Sequence, residues 1–383
     1  MVPDLTSAAS FTTASPVARA AALLDGQDQA ACRTDGGLLI AEGSVRRRQV
    51  RLAVTDRARA GGAFGVEEAA ALQSLLERSA QDRMALVLVL DSAGARLDQG
   101  LSALGAFRRL FGAALKARLA GVPTIAVVAQ DCFGGASMLA ALCTRRLALR
   151  SARFGLSGPG IVEALAGKPE LDASDPQAVA MLFGAPARLA SGVFHGLCED
   201  AAAALRAALE TALADSAAPS PGLHVQHETL RKRLVAAGVA IPRERRAWRG
   251  FVNGDAVTAR DCWLGADSLL TNGPAARLEI ALDSPGQAAT RLDESLALSE
   301  YVTHVSLCLA QHDGQVRLTI TGEAAGAVYV ALAAPAARVI ARRTASVRLL
   351  PPSAVARVLG TDSADEGLPQ ALRAGVVDEI VGA

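Results

Sequence analysis

The stretch "VPTIAVVAQDCFGGASMLAALC", residues 122–143, decides how the chain is read. Thr124 to Val128 is a β-branched apolar run, the pattern of a strand covered on both faces. It ends at the polar corner Gln130-Asp131, passes Gly134 and Gly135, and enters the small-residue helix "ASMLAALC". A helix leaves its first backbone N–H groups without internal partners, and its dipole places partial positive charge there. A side chain at that corner would hold a ligand away, whereas glycine lets an anionic oxygen reach the amides. A tight turn that packs strand against helix explains one such pair equally well.

Working outward, strand and helix alternate. "LLIAEGSVRRRQVRLAVTD" reads as alternating strand across a turn at Glu42-Gly43. "VEEAAALQSLLERSAQD" has the acidic start and spacing of an amphipathic helix. "MALVLVLDS" is a buried strand, residues 100–120 a long helix, and "RRLALRS" a further strand. The alternation predicts an α/β layered domain. The same order returns later in the chain. "LVLDSAGAR" (88–96) matches "IALDSPGQA" (280–288), and a long helix is expected over about 292–312. Asp91 falls on Asp283, 192 positions on, and Gly135 falls on Gly326, 191 positions on. A near-constant offset implies two tandem copies of one α/β unit. The second corner then comprises Ala325 and Gly326, ahead of "AVYVALAA". Two equivalent corners favour an oxyanion site over a mere turn. The unit boundaries read as 21–210 and 248–383. Residues 1–20 read as poorly ordered, and the Pro- and charge-rich 211–247 as a linker with a helical piece.

Composition narrows the class. The 383 residues are 51% hydrophobic and 20% charged, enough for a large core, with 3% aromatic side chains. A net charge of +1 argues against nucleic acid as a partner. Lys116, Lys168 and Lys232 are the only lysines, which leaves few candidates for lysine catalysis. The six cysteines include no C-x-x-C pair and read as reduced core residues of a cytoplasmic protein. The start "MVPDLTSAASFTTASP" does not read as a secretory leader, and no apolar run is long enough for a membrane helix. "GGASM" is not a nucleophile elbow, and "GGAFG" (61–65) lacks the ending of a P-loop. The latter remains a candidate for shaping the substrate entrance or meeting a phosphate.

At this point a family resemblance appears. "LDSAGARLDQG" resembles the strand-end signature of the carboxyltransferase branch of the crotonase superfamily. "CFGGASMLAALC", "ARFGLSGPGIVEALAG", "RAGGAFGVEEAAAL" and "LASGVFHGLCEDA" resemble the β subunit of biotin-independent malonate decarboxylase over roughly residues 35–200. "GEAAGAVYVALAAPAARVIA" is similar, less closely, to the γ subunit of that enzyme, here fused and shortened. The resemblance implies two tandem crotonase-like (ββα-superhelix) domains with the active site between them. It implies a malonyl thioester substrate on a phosphopantetheine-type arm, from acyl carrier protein or coenzyme A. No covalently bound cofactor, metal, nucleic acid or membrane partner is expected, and self-association is open. Biotin-dependent relatives use one hole for the acyl enolate and the other for the biotin ureido oxygen.

Gly134, Gly135, Ala325 and Gly326 are the candidate catalytic residues. The segments carrying the resemblance add Ala93, Gly94, Arg96, Cys132, Phe133, Gly158 and Pro159 as candidate substrate-binding residues. His195 is a candidate proton donor beside a structural reading. His304, His224 and His227 read as packed, exposed or, for the latter two, metal-ligating. Arg46, Arg47 and Arg48 read as a solvated strand edge or a phosphate contact. The second corner has lost glycines relative to the first, so it reads as a catalytic corner or only a pocket wall.

Overall fold

A computed structural model describes residues 10–26, 32–216, 222–242, 247–274, 277–312, 315–360 and 367–382. The alternation yields two sheets, one per half. In the first, β1 (Arg33–Asp35), β2 (Leu38–Val45), β3 (Arg48–Thr55), β4 (Ala85–Ser92), β5 (Thr124–Cys132) and β6 (Arg145–Leu149) lie side by side. β7 (Arg153–Phe154) pairs with β5, and β8 (Gly196–Cys198) closes the edge beside β6. From β3 onward the pairing is parallel. In the second sheet β9 (Gly250–Phe251), β10 (Leu278–Ser284), β11 (Val316–Ala325), β12 (Arg338–Arg342) and β14 (Glu379–Val381) repeat that parallel order, and β13 (Ser346–Arg348) pairs with β11 as β7 does with β5. The second sheet is thus the first without β1 and β2.

The hairpin turn lies elsewhere than expected. Glu42 and Gly43 sit inside β2, and the chain reverses at Arg46-Arg47, with φ of 49° and 64°. A two-residue turn with both φ positive matches the strand twist, so two arginines adopt a backbone usually left to Gly or Asn. Arg46 pairs with Glu210, Arg48 bonds the Leu213 carbonyl, and Arg47 N–H donates to Asp25. The arginine cluster therefore ties the hairpin to its neighbours.

Helices cover the sheets as the apolar patterns require. α1 (Pro16–Leu23) and α8 (Ala202–Asp215) pack together over the outer face of the first sheet, above Val87, Val89 and Val127. Leu86, Leu88 and Leu90 face the other way, toward α2 (Val66–Asp82) and α3 (Gly100–Leu119). The poor order expected of residues 1–20 does not hold for the described part: Phe11 is buried and Arg19 reaches Asp91. Residues 1–9 lie outside the described residues.

Where the halves meet, α3 and α4 (Gly135–Leu142) pack on α12 (Leu298–Ala310) and α3 on α13 (Gly326–Ala333). α5 (Pro159–Ala166) meets α14 (Pro352–Leu359). α6 (Pro176–Phe183) touches α11 (Arg291–Ser295), and α7 (Ala185–Ala190) follows it. The expected single helix over 292–312 is two, broken where Ala297 takes φ 60°. The expected linker is partly core: α9 (Leu223–Ala236) buries Leu230 and Leu234 against α10 (Ala259–Asn272) and α12. α15 (Gly367–Arg373) contacts α3, and Arg108 of α3 bonds the carbonyls of Ala333, Gly375 and Val376 as well as Asp378. One continuous apolar core runs through both halves.

Candidate active site between the halves

The repeat is copied bond for bond around each corner. β4 shifts register between Leu90 and Ser92, and β10 between Leu282 and Ser284. Ser92 Oγ accepts from Gly94 N–H, and Ser284 Oγ from Gly286 N–H. Asp91 accepts from the Asp131 amide at 3.2 Å, and Asp283 from the Glu323 amide at 2.9 Å. Phe64 bridges Ala95 as Val257 bridges Gln287. These polar positions therefore shape one device twice: a bulged strand end laid against a strand-to-helix corner.

In the first half, Gly134 and Gly94 are packed backbone to backbone, and a Cβ on Gly134 would stand 3.3 Å from Gly94 Cα. Gly94 and Gly134 both have positive φ, 116° and 57°. Gly134 N–H is not a free donor: it gives its hydrogen to the Leu156 carbonyl at 3.0 Å. That corrects its assignment as an oxyanion donor. In this corner the amides of Gly135 and, across the contact, Ala95 have no acceptor among the described residues. Both residues line a cavity of about 350 Å³.

That cavity lies between the two halves. Leu104, Phe107, Phe133 and Met138 from the first half face Val330, Leu349 and Val358 from the second. Ala93, Gly94, Arg96, Gly158 and Gly326 join Phe133, Gly134 and Gly135 in its wall, so most expected site residues meet there. Arg96 holds Asp98 through two bonds, 2.8 and 2.5 Å, at the rim. "GGAFG" contributes Ala63, and Gly62 presses so closely on the Asp91 carbonyl that a Cβ would clash.

Other expected residues lie apart. Cys132 is fully buried beneath the corner and outside the wall, with its thiol pushed well up by burial and then by Asp91. Pro159 begins α5 and does not line the cavity. Ala325 ends β11, outside the wall, so the second corner contributes Gly326 and Ala327 instead. His195 also lies outside it: its ring accepts from Arg146 N–H, and loss of water, then the Arg146 and Arg145 guanidiniums, push it down to about 4. His227 stacks on Trp263, and its Nδ1 stands 3.2 Å from Nε2 of buried His304. Of the cysteines, Cys32 is exposed and the other five are buried.

Three features in or beside the cavity escaped sequence reading. Ser157 lines the wall, and its buried hydroxyl lies beside the Glu294 carboxyl. Glu294 of α11 crosses from the second half and accepts from the Leu156 and Ser157 amides at 3.0 and 2.6 Å. Burial raises its carboxyl to about 7, against the opposing pull of Arg188. Arg188 is itself buried and grips the Phe154 and Glu294 carbonyls. Leu156, held by Glu294, in turn takes the Gly134 amide, so a carboxylate from one half braces the corner of the other. The third feature is Gln287, whose Oε1 accepts from Ala327 N–H at 3.3 Å.

Comparison with known proteins agrees with this geometry. Residues 3–220 match the carboxyl transferase domain. The 12S subunit of methylmalonyl-CoA carboxyltransferase from Propionibacterium freudenreichii is 30% identical over 179 residues, 46% of this chain and 32% of that subunit. The carboxyl transferase subunit beta of acetyl-coenzyme A carboxylase from Fusobacterium nucleatum is 30% identical over 128 residues, 33% of this chain and 42% of that protein. The matches thus span well under half of these relatives. A Pseudomonas malonate decarboxylase hetero-tetramer, solved in complex with malonate, superposes with TM-score 0.54 at 27% identity, covering 62% of this chain and 94% of that one. A Pseudomonas malonate decarboxylase hetero-dimer gives 0.50 at 29% identity, over 59% and 96%. No helix among the described residues is long and apolar enough to cross a membrane. With more than half of its length matched and a paired crotonase-like α/β fold around a shared cleft, the chain belongs to the carboxyl transferase domain family.

Proposed function

We propose that the chain decarboxylates a malonyl thioester, carried on acyl carrier protein or coenzyme A, without biotin. The observation that carries this reading is the pair of unpaired amides, Ala95 and Gly135, at one end of a largely apolar cavity. The thioester carbonyl sits against these two N–H groups. The bond from the α-carbon to the carboxylate breaks, carbon dioxide leaves, and the electron pair moves onto the thioester oxygen as an enolate. Each donor of such a hole supplies about 3 kcal/mol of transition-state stabilisation. The apolar wall disfavours the charged carboxylate and favours neutral carbon dioxide. The enolate carbon then takes one proton from solvent, giving the acetyl thioester, with Ser157 of the cavity wall as the candidate relay.

The curated relatives favour a second reading, transfer of a carboxyl group to or from an acyl thioester with a biotin carrier from another chain. Against it stands the second corner, where Gln287 takes an amide hydrogen at the place a ureido carbonyl would need. The purified chain, incubated with malonyl-CoA or malonyl-acyl carrier protein and followed by mass spectrometry, separates the readings. Loss of carbon dioxide without biotin is expected. Turnover that requires an added biotin carrier overturns the decarboxylase reading in favour of the transferase. Binding without turnover under both conditions leaves a carrier-binding partner.

A further inference from the structure

Gln287 occupies the position equivalent to Ala95, 192 residues on. The backbone around the two is the same: the Phe64–Ala95 bridge becomes Val257–Gln287, and the serine-braced glycine precedes each. Only the side chain differs. In the first half a methyl group leaves the corner open. In the second, the carboxamide folds back onto the helix start, where Oε1 meets Ala327 N–H at 3.3 Å. It stands 3.0 Å from where a Cβ on Gly326 would be. The orientation of the carboxamide follows from chemistry, because an N–H can be met by its oxygen and not by its NH₂. Nε2 is then directed away from the amide it would otherwise oppose, and it has no acceptor among the described residues. Gln287 lines the same cavity as Ala95 and Gly135.

We propose that Gln287 is a specificity-determining residue: it fills the second corner with its own carbonyl and, through Nε2, presents a neutral donor for the carboxylate of the acyl group. The carboxamide reverses the corner's polarity twice and passes its hydrogen-bonding capacity further into the cavity. A donor of this kind suits a group that must lose its charge. A guanidinium would stabilise the carboxylate in the ground state and oppose its departure as carbon dioxide, whereas a neutral amide orients it at lower cost. The position also fits the geometry of the reaction. The thioester carbonyl is held by the first half, so its carboxylated end points across the cavity toward the second. The inference rests on the acyl-thioester reading of the cleft.

The test measures binding to the whole chain by calorimetry, with two 4′-phosphopantetheine thioesters, acetyl and sulfoacetyl. Both carry the arm shared by the two carriers, and the sulfonate supplies an anionic head that cannot leave as carbon dioxide. The wild-type chain is expected to prefer the sulfoacetyl compound. Gln287→Glu keeps an oxygen for Ala327 N–H but turns a negative oxygen toward the cavity. It should weaken sulfoacetyl binding about tenfold or more, and acetyl binding far less, because like charges are brought together only with the sulfonate. Gln287→Ala should abolish the preference without reversing it. Sulfoacetyl preference that survives in both variants overturns the proposal alone. No binding of either thioester to the wild-type chain overturns the proposal together with the acyl-thioester reading. A preference that Gln287→Glu removes, in a chain that does not decarboxylate malonyl thioesters, supports the proposal while the decarboxylase reading falls.

Discussion

The two halves share a backbone and differ in what each leaves open. The first is clad on both faces: β4 is buried at every position, with α1 and α8 outside and α2 and α3 inside. The second is one-sided. Along β10, Ile280, Leu282 and Ser284 are buried while Glu279 is exposed and Ala281 and Asp283 are half-buried. Arg277 and Arg317 pair with Glu279 on that outer face. The contrast repeats at the corners. The first presents Ala95 and Gly135 amides to the cavity, while the second turns Gln287 back onto Ala327. The two corners have diverged in several side chains, and the replacement of Ala95 by Gln287 is the one that turns a carboxamide onto the helix start. On the proposed reading, the second half serves as wall, brace and acyl-end contact, and the first as the oxyanion hole.

The largest expected effect falls on the first corner. In Gly135→Val the added carbons collide with the Phe107 ring and crowd the amide. Turnover should drop by about 10²–10³-fold or more, the range for losing an oxyanion donor. Gly326→Ala, at a residue with φ 55°, introduces backbone strain but should cost turnover less than about tenfold, since no enolate is held there. Steady-state rates of both variants, with circular dichroism to check folding, decide the point. Equal losses at the two corners would erase the asymmetry.

Next comes the junction that makes the comparison meaningful. Gly105 of α3 lies so close to the Ala374 carbonyl that no Cβ fits between them. Gly105→Leu should force α3 away from the second half and lower stability by about 3 kcal/mol. Thermal unfolding is expected to show a lower midpoint and two separate transitions. A single transition at the wild-type midpoint would mean that the halves do not depend on this contact.

How much of this was legible depends on the range of the interactions. The alternation of strand and helix, the repeat and the glycine corners are local, and the sequence expresses them through periodicity and through Gly94, Gly134 and Gly135. The one-sided second sheet was also visible, since "RLEIALDS" alternates where "ALVLVLDS" does not. The hairpin turn was misplaced because Arg46-Arg47 gives no turn signal, whereas Gly43 does. Gly134 looked like a donor because its residue type is right, but its hydrogen is taken by Leu156, 22 residues on. Glu294 was out of reach for the same reason: it acts on Ser157 across a separation of 137 residues. Gln287 was quoted within the repeat, and reading the Ala95 position across both copies would have flagged it.

The smallest expected effect tests the brace between the halves by its charge. Burial raises Glu294 from an ordinary 4.5 to about 7, so between these values the folded chain keeps a proton that the unfolded chain has released. Its contribution to stability is therefore greatest at low pH and declines as pH rises through that window, opposite to a salt-bridged surface carboxylate. Glu294→Gln removes the ionisation while retaining one carbonyl for the Leu156 or Ser157 amide. Relative to wild type, the variant's melting temperature should rise by about 2 °C between pH 5 and pH 8. That differential removes the background from all other groups, including Glu300, whose carboxyl is lowered by Arg146 and Arg233 despite its burial. A constant difference across pH would show that Glu294 braces the first corner without a charge penalty. The second half's hold on the first would then be one of hydrogen bonding alone.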